Sequence, residues 1–106
     1  MMRHRQAVLL VAILCGAAVP HALAQDFPPA QIRKGSDIYA QNCSPCHGAR
    51  MLDPNAAFDL RKFPPAEKNR FVNSVTRGKN QMPPWGDLLQ TDDIEALWAY
   101  IMAGER

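Results

Sequence analysis

Two thiols and one imidazole lie close together near the middle of this chain. Cys43 and Cys46 are separated by two residues, and His47 follows the second thiol directly, with Gly48 after it. This spacing is typical of covalent haem attachment, because one tight turn lets both thiols add to vinyl groups on the same porphyrin edge. His47 is then carried beneath the ring, where a ring nitrogen can bind iron. Gly48 lets the backbone leave that crowded corner without a side chain in the way.

Three other kinds of site could use the same residues. A structural zinc site needs about four ligands, but the chain without its leader offers only these two thiols and one imidazole. A redox-active dithiol is suggested by the Ser-Pro pair between the thiols, which resembles the x-Pro pair of thioredoxin-like proteins. That motif lies where a strand enters a helix, and no strand-like segment occurs here. A structural disulfide is the third alternative, and the spacing favours haem attachment over all three.

The first 24 residues have the pattern of a secretory signal peptide. Arg3 and Arg5 form a basic start, an apolar run covers residues 7–19, and Ala22-Leu23-Ala24 supplies a small-residue cleavage site. An uncleaved membrane anchor is the alternative, but an apolar run of this length gives only about 20 Å of helix against a hydrocarbon core of about 30 Å. We therefore expect cleavage after Ala24 and an exported, periplasmic protein made of residues 25–106.

The mature chain is short and carries a balanced charge. Removing the leader leaves 106 − 24 = 82 residues, which form one small domain, and a domain of this size usually needs a cofactor, metal or disulfide to hold it together. The leader also removes two arginines, so 12 − 2 = 10 basic residues stand against 10 acidic ones. Such a balance gives no indication of a nucleic-acid-binding protein.

Three helices are predicted around the attachment site. The first covers about residues 30–42, the second covers 65–77, and the third begins with Thr91 as its N-cap and ends at Gly104. Gly35 is expected where the first and last helices cross, since a glycine inside a helix costs about 1 kcal/mol and needs a compensating contact. The apolar residues that indicate the helices recur three or four positions apart: Ile32, Tyr39, Phe71, Val72, Val75, Ile94, Leu97, Trp98 and Ile101.

An irregular loop over residues 49–64 joins the attachment site to the second helix. The expected apolar anchors of this loop are Phe58, Leu60 and Phe63. The carbonyl of Pro54 is a candidate acceptor for the ring N–H of His47, a contact that would fix the imidazole tautomer. On the second helix, Lys68, Arg70 and Arg77 are expected to face outward or to snorkel, with their stems on apolar surface and their charges in water. Arg77 is also a candidate partner for a haem propionate.

A methionine in a proline-rich loop is the candidate for the second axial ligand. Met82 is followed by Pro83 and Pro84, so it lies in a segment that makes poor helix and poor strand. A thioether is a soft, neutral ligand that favours Fe(II). The alternative is a methionine that simply fills a gap in the core. Trp85 is predicted to pack against the haem edge.

The other sulfur and imidazole side chains fit the second axial position less well. The remaining histidines lie in the leader, so a second imidazole ligand is excluded in the mature chain. Met51 lies only four residues after His47, too close to reach the opposite face of the ring. Met102 lies at the end of the last predicted helix, where packing is the expected role. Met82 follows His47 by 35 residues and remains the best candidate.

Taken together, these features resemble the small class I c-type cytochromes of the bacterial periplasm. The residues that carry the resemblance are Gly35, Tyr39, Cys43-Ser44-Pro45-Cys46-His47-Gly48, Met82-Pro83, Trp85, Trp98 and Tyr100. The segment over residues 49–54 departs from the Gly-Pro-x-Leu arrangement that is more usual in the family.

The resemblance implies an all-α cytochrome c fold, with three main helices and irregular loops around one covalently bound haem c. It implies axial ligation by His47 and Met82 and a monomeric one-electron carrier rather than an enzyme. Expected partners are an electron donor such as a quinoprotein or other dehydrogenase and an acceptor such as a terminal oxidase. The expected docking rim consists of Ser44, Pro45, Gly48, Met82 and Pro83, with Lys79, Lys62 and Arg61 at its edge. The alternative functions are a haem enzyme or gas sensor with an open distal site, and a thiol protein without haem.

Overall fold

The structure is a computed structural model that describes residues 11–12, 16 and 26–104. The predicted signal peptide over residues 1–24 and its cleavage site after Ala24 therefore lie outside the described residues, apart from three isolated positions. None of the helices in the described ranges is long and apolar enough to cross a membrane.

The described chain is helical. Its α-helices are α1 (Pro29–Asn42), α2 (Ser44–His47), α3 (Lys68–Arg77) and α4 (Thr91–Ala103), and 3₁₀ turns cover Ala49–Met51, Leu60–Lys62 and Pro65–Glu67. Over residues 26–104 the only strand-like pairing is one isolated backbone bridge. The prediction of an all-α fold with three main helices is confirmed, since α2 is a single turn that carries the end of the thiol motif.

Helix ends differ from the sequence prediction in three places. The first helix begins at Pro29, one residue early, because proline suits the first helical position. The predicted helix over 65–77 starts as a 3₁₀ turn and becomes α-helical only at Lys68. The prediction of Thr91 as an N-cap is wrong. Gln90 caps α4 instead, and its backbone N–H donates to the carboxylate of Asp93 at 2.9 Å in a reciprocal capping box.

Helices α1 and α4 cross closely at Gly35, as predicted. A Cβ atom at Gly35 would overlap the backbone carbonyl of Ala96 and lie 2.8 Å from the Cβ of Tyr100. Beside this crossing the rings of Tyr39 and Tyr100 pack with centroids 5.3 Å apart. The missing side chain of Gly35 is therefore what lets the first and last helices approach.

The core is aromatic and centres on α4. The indole of Trp98 is almost fully buried, and the ring of Phe63 meets it edge-on with centroids 5.9 Å apart. Phe71 of α3 packs against the same indole at 5.2 Å. The loop before α3 thus contributes Phe63 to the core, whereas Phe58, predicted as a second anchor, remains 52% exposed.

Candidate cofactor cleft

One large cleft brings the predicted site residues together. Its volume is about 780 Å³, within the range of about 300–1,000 Å³ that is usual for small-molecule and cofactor sites. Its lining includes every residue that the sequence predicted to bind the cofactor: Cys43, Cys46, His47, Met82 and Trp85. Its apolar wall is formed by Phe58, Leu60, Phe63, Phe71, Val75, Leu97 and Ile101. A smaller groove of about 390 Å³ along α1 and the end of α4 has no thiol, imidazole or thioether in its lining.

The two thiols are presented by the turn between α1 and α2. The backbone N–H of Cys43 closes α1 by donating to Tyr39 O at 2.8 Å, and the carbonyl of Cys43 accepts from Cys46 at 3.2 Å and from His47 at 2.9 Å. The hydroxyl of Ser44 donates to Ala40 O at 2.7 Å, which ties this turn to α1. The tight turn that covalent attachment requires is therefore present, and no disulfide joins Cys43 to Cys46.

The thiol environment of Cys43 differs from that of a redox-active cysteine. Burial, with a smaller contribution from neighbouring Cys46, raises the pKa of Cys43 to about 11. A redox-active thiol needs the opposite shift, because the thiolate is the reactive form. Among the residues that the structure describes, no cluster of three or more His, Cys, Asp or Glu side chains is placed to hold a metal ion.

The imidazole of His47 is oriented by a backbone carbonyl. Its Nδ1 lies 3.1 Å from Phe58 O, and because a carbonyl only accepts, Nδ1 carries the proton of this bond. The lone pair of Nε2 is then free to bind a metal. The hypothesis that Pro54 supplies this carbonyl is wrong. Pro54 O instead accepts from Ala57 N–H at 3.0 Å, because the chain turns back on itself there.

Gly48 has the conformation that its place in the motif requires. Its φ of +85° is one that side chains disfavour, and a Cβ atom there would overlap the backbone of Asp53. The phenol of Tyr39 donates to the carbonyl of Gly48 at 2.6 Å, and burial raises the pKa of Tyr39 to about 12. This contact ties the backbone that follows the thiol motif to α1. The sequence prediction did not assign this role to Tyr39.

Met82 lies at the end of a tight turn. Lys79 N–H donates to Met82 O at 3.0 Å and Met82 N–H donates to Lys79 O at 2.9 Å, with Asn80 at a φ of +54° between them. At Gly78, where φ is +78°, a Cβ atom would lie 2.7 Å from Met82 O and 2.9 Å from Pro84 N. The backbone around Met82 therefore folds so closely that it needs glycine at position 78.

The loop that carries Met82 is anchored to the end of α3. Trp85 N–H donates to Val75 O at 2.8 Å and Gly86 N–H donates to Thr76 O at 3.1 Å. These carbonyls belong to the last turn of a helix, where backbone acceptors have no partner within the helix. The loop thus satisfies them and is held in place, and the half-buried Trp85 lines the cleft beside Met82.

The charged side chains of the cleft differ from the prediction. Among the lining residues only Arg70 and Lys79 are charged, and both are basic. Arg77, a predicted propionate partner, is exposed and does not line the cleft, so that hypothesis is not supported by the geometry. Arg70 is exposed, as expected, but it also lines the cleft, which the sequence analysis did not predict. Its position depends on packing between distant segments, and no local pattern indicates it.

Comparison with known proteins points in the same direction. The family model described as "Cytochrome C oxidase, cbb3-type, subunit III" matches residues 30–101. Cytochrome c6 from Microcystis aeruginosa is 35% identical over 74 residues, covering 65% of this chain and 91% of that protein. The solved structure of cytochrome c6 from the diatom Phaeodactylum tricornutum matches with a TM-score of 0.52 and 28% identity, over 68% of this chain and 91% of that one.

A larger protein is also similar over a short part of its length. Quinohemoprotein alcohol dehydrogenase ADH IIB from Pseudomonas putida is 31% identical over 80 residues, which is 73% of this chain. The chain spans only 12% of the length of that dehydrogenase.

Proposed function

The chain belongs to the c-type cytochrome family, whose members bind covalent haem c, and we propose that it is a one-electron carrier. In this proposal Cys43 and Cys46 would form the thioether bonds to haem, and His47 and Met82 would be the protein ligands of its iron. The observation that carries the proposal is that all four side chains line one cleft of suitable volume and largely apolar wall. Residues separated by up to 39 positions in the sequence converge there.

The donor set fits the proposed group. When bound, haem supplies the one-electron chemistry, because its iron alternates between Fe(III) and Fe(II). The Phe58 carbonyl holds the protonated Nδ1 of His47 and so directs Nε2 toward a metal. Met82 is held by its two backbone bonds to Lys79. Ligands fixed in this way move little when the charge of their metal changes, which suits rapid electron exchange.

We propose that the protein works in the periplasm, which the leader pattern at residues 1–24 supports. Similarity to a quinohemoprotein alcohol dehydrogenase supports a quinoprotein dehydrogenase as the electron donor. The description of the matching family model supports a terminal oxidase as the acceptor. Such redox encounters are usually small and weak, so a diffusible monomer can exchange partners quickly.

Part of the docking rim proposed for these partners lines the cleft. Pro45, Met82 and Pro83 line the cleft, and Lys79 lies beside them. Arg61 contributes less free charge than its residue type suggests, because its guanidinium pairs with the carboxylate of Asp59 at 2.8 Å. Neither Arg61 nor Lys62 lines the cleft, whereas Lys79 does. Lys79 is therefore the basic group of this rim that is best placed to attract an acidic partner.

The test is the visible spectrum of the purified exported protein, oxidised and reduced, followed by addition of CO to the reduced form. A covalent haem c spectrum that CO leaves unchanged is the expected result, because Met82 would occupy the ligand position that CO needs. A spectrum that shifts with CO would contradict the carrier proposal and favour the enzyme or gas-sensor alternative. Absence of covalent haem would favour the alternative of a thiol protein that uses Cys43 and Cys46. The mass of the exported protein would also test cleavage after Ala24.

A further inference from the structure

The charged residues that line the cleft are all basic. Arg70 and Lys79 are its only charged lining residues, and no carboxylate lies among the residues that line it. Haem carries propionate carboxylates, which are charged at neutral pH. A basic wall without acidic groups therefore matches the charge of the group that we propose for the cleft.

Arg70 is held in place more firmly than an ordinary surface arginine. Its guanidinium carbon lies 4.5 Å from the centroid of the Phe63 ring, a distance at which a cation is attracted to an aromatic face. One terminal nitrogen donates to the carboxylate of Glu67 at 3.0 Å. Phe63 itself is buried and packs edge-on against Phe71 and Trp98. The guanidinium of Arg70 thus lies on an aromatic ring that is itself fixed by packing in the core.

We propose that Arg70 is a positioning residue that pairs with a haem propionate and raises the reduction potential of the haem. This inference rests on the proposed function, because it requires haem in the cleft. A guanidinium has five N–H donors in a planar fork that suits carboxylates, and Glu67 occupies one of them. The other N–H donors of Arg70 would pair with the propionate carboxylate.

The sign of the effect follows from charge. Reduction adds one negative charge to the haem, and a fixed positive charge nearby stabilises the reduced form relative to the oxidised one. Arg70 also offsets the negative charge of a propionate, which would otherwise favour Fe(III). The side chain is 42% exposed, so solvent and salt weaken the effect without abolishing it.

The same helix supplies a matched control. Arg77 lies seven residues after Arg70, which places both on nearly the same side of α3 but about 10 Å apart along its axis. Arg77 is exposed and absent from the cleft lining. Replacing either arginine by glutamine removes one positive charge from the same helix, so a difference between the two variants reports proximity to the cleft.

The experiment is spectroelectrochemical titration of the purified haem protein. For Arg70→Gln we expect the ratio of reduced to oxidised protein at a fixed ambient potential to fall about three- to tenfold, where tenfold corresponds to about 59 mV for a one-electron couple. Arg77→Gln should change this ratio less than twofold. Arg70→Lys keeps the charge and should restore most of the ratio.

A pH series separates positioning from a general structural effect. A propionate held by Arg70 stays ionised to low pH, so we expect the pH-dependent part of the potential to move to higher pH in Arg70→Gln. The unpaired carboxylate of Glu67 is a second source of negative charge in that variant. The double variant Glu67→Gln/Arg70→Gln removes it, and the potential should still lie below that of Glu67→Gln alone.

Two results would overturn the inference while leaving the carrier proposal intact. One is a potential for Arg70→Gln equal to that of Arg77→Gln, and the other is an unchanged pH dependence. Wild-type protein without covalent haem, or with a reduced spectrum that CO shifts, would instead contradict the proposed function. Thermal unfolding of each haem-loaded variant shows whether it is folded, and Arg70→Lys keeps the inference testable if Arg70→Gln is unstable.

Discussion

Replacing Gly35 by alanine tests whether packing or helix propensity decides the stability of α1. Propensity alone predicts a gain of about 1 kcal/mol, because alanine is the better helix former. The structure predicts the opposite sign. A Cβ atom at this position would overlap the carbonyl oxygen of Ala96, lie 2.6 Å from its carbonyl carbon and lie 2.8 Å from the Cβ of Tyr100. Backbone atoms cannot rotate out of the way, so α1 and α4 must separate.

The magnitude follows from two opposing contributions. Overpacking typically costs about 1–3 kcal/mol, and a contact with rigid backbone belongs at the upper end, about 3 kcal/mol. Subtracting the propensity gain of about 1 kcal/mol leaves a net loss of about 2 kcal/mol. For a domain of this size each kcal/mol lowers the melting temperature by about 4–8 °C, so we expect a fall of about 8–16 °C. Gly35→Leu should lose more.

The assay is thermal unfolding of the haem-loaded protein, followed by circular dichroism. Asp37→Ala is the matched control, because Asp37 is an exposed position on the same helix where propensity should act without a packing cost. The expected result is a lower melting temperature for Gly35→Ala and an equal or higher one for Asp37→Ala. A melting temperature for Gly35→Ala at or above that of the wild type would refute the packing argument.

Three further predictions concern the proposed iron ligand Met82, its loop and an ion pair between helices. Met82→Ala should let the reduced protein bind CO and should lower the reduction potential, since a thioether favours Fe(II); CO difference spectra and a redox titration measure both. Gly78→Ala should make Met82 labile, because its Cβ would lie 2.7 Å from Met82 O, so the reduced protein should bind CO although the methionine remains. Gly104→Ala shares the positive φ but meets nothing within 4 Å, and should not bind CO. The hydrogen bond and ion pair with Lys34 lower the pKa of Asp92 from its ordinary value of 3.8. Their contribution to stability is therefore present above about pH 3.8 and is lost as the pH falls through the lowered pKa. Asp92→Asn should make the stability of the protein depend less steeply on pH in this acid range.

Each of these predictions has a result that would contradict it. Met102→Leu should have the same haem spectrum and CO response as the wild type. A CO shift in that variant would indicate that Met102, rather than Met82, binds the iron. Equal CO responses in the Gly78 and Gly104 variants would mean that the close approach to Met82 has no effect on ligation. Asp37→Asn removes an exposed acid from α1, and an acid unfolding curve as flat as that of Asp92→Asn would show that the ion pair with Lys34 is not responsible.

Several features could be predicted because they depend on neighbours in the sequence. The spacing of Cys43, Cys46 and His47 fixes which groups one turn can present together. Helix periodicity located α1, the main part of α3 and α4 to within a few residues. The cap of α4 was missed because threonine is the more usual N-cap, whereas a reciprocal bond with Asp93 makes Gln90 the cap here.

The orientation of His47 could not be predicted, because it depends on how an irregular loop folds. Pro54 and Phe58 are both close enough in sequence to offer a carbonyl to the imidazole. The turn from Pro54 to Ala57 uses the first carbonyl internally and delivers the second to Nδ1. An irregular loop has several closures of similar energy, and contacts with the packed core choose among them.

The sequence by itself determined the chemistry of this protein: two thiols and an imidazole at haem-attachment spacing, and a thioether in a stiff loop. It also determined the helices, since periodicity and glycine positions are local properties of a chain. Only the tertiary structure decided which arginine faces the cleft. Arg70 and Arg77 share one side of α3, so no periodicity distinguishes them. They lie about two helical turns apart along the axis. The packing of α3 against Phe63 and α4 decides which of the two lies beside the cleft.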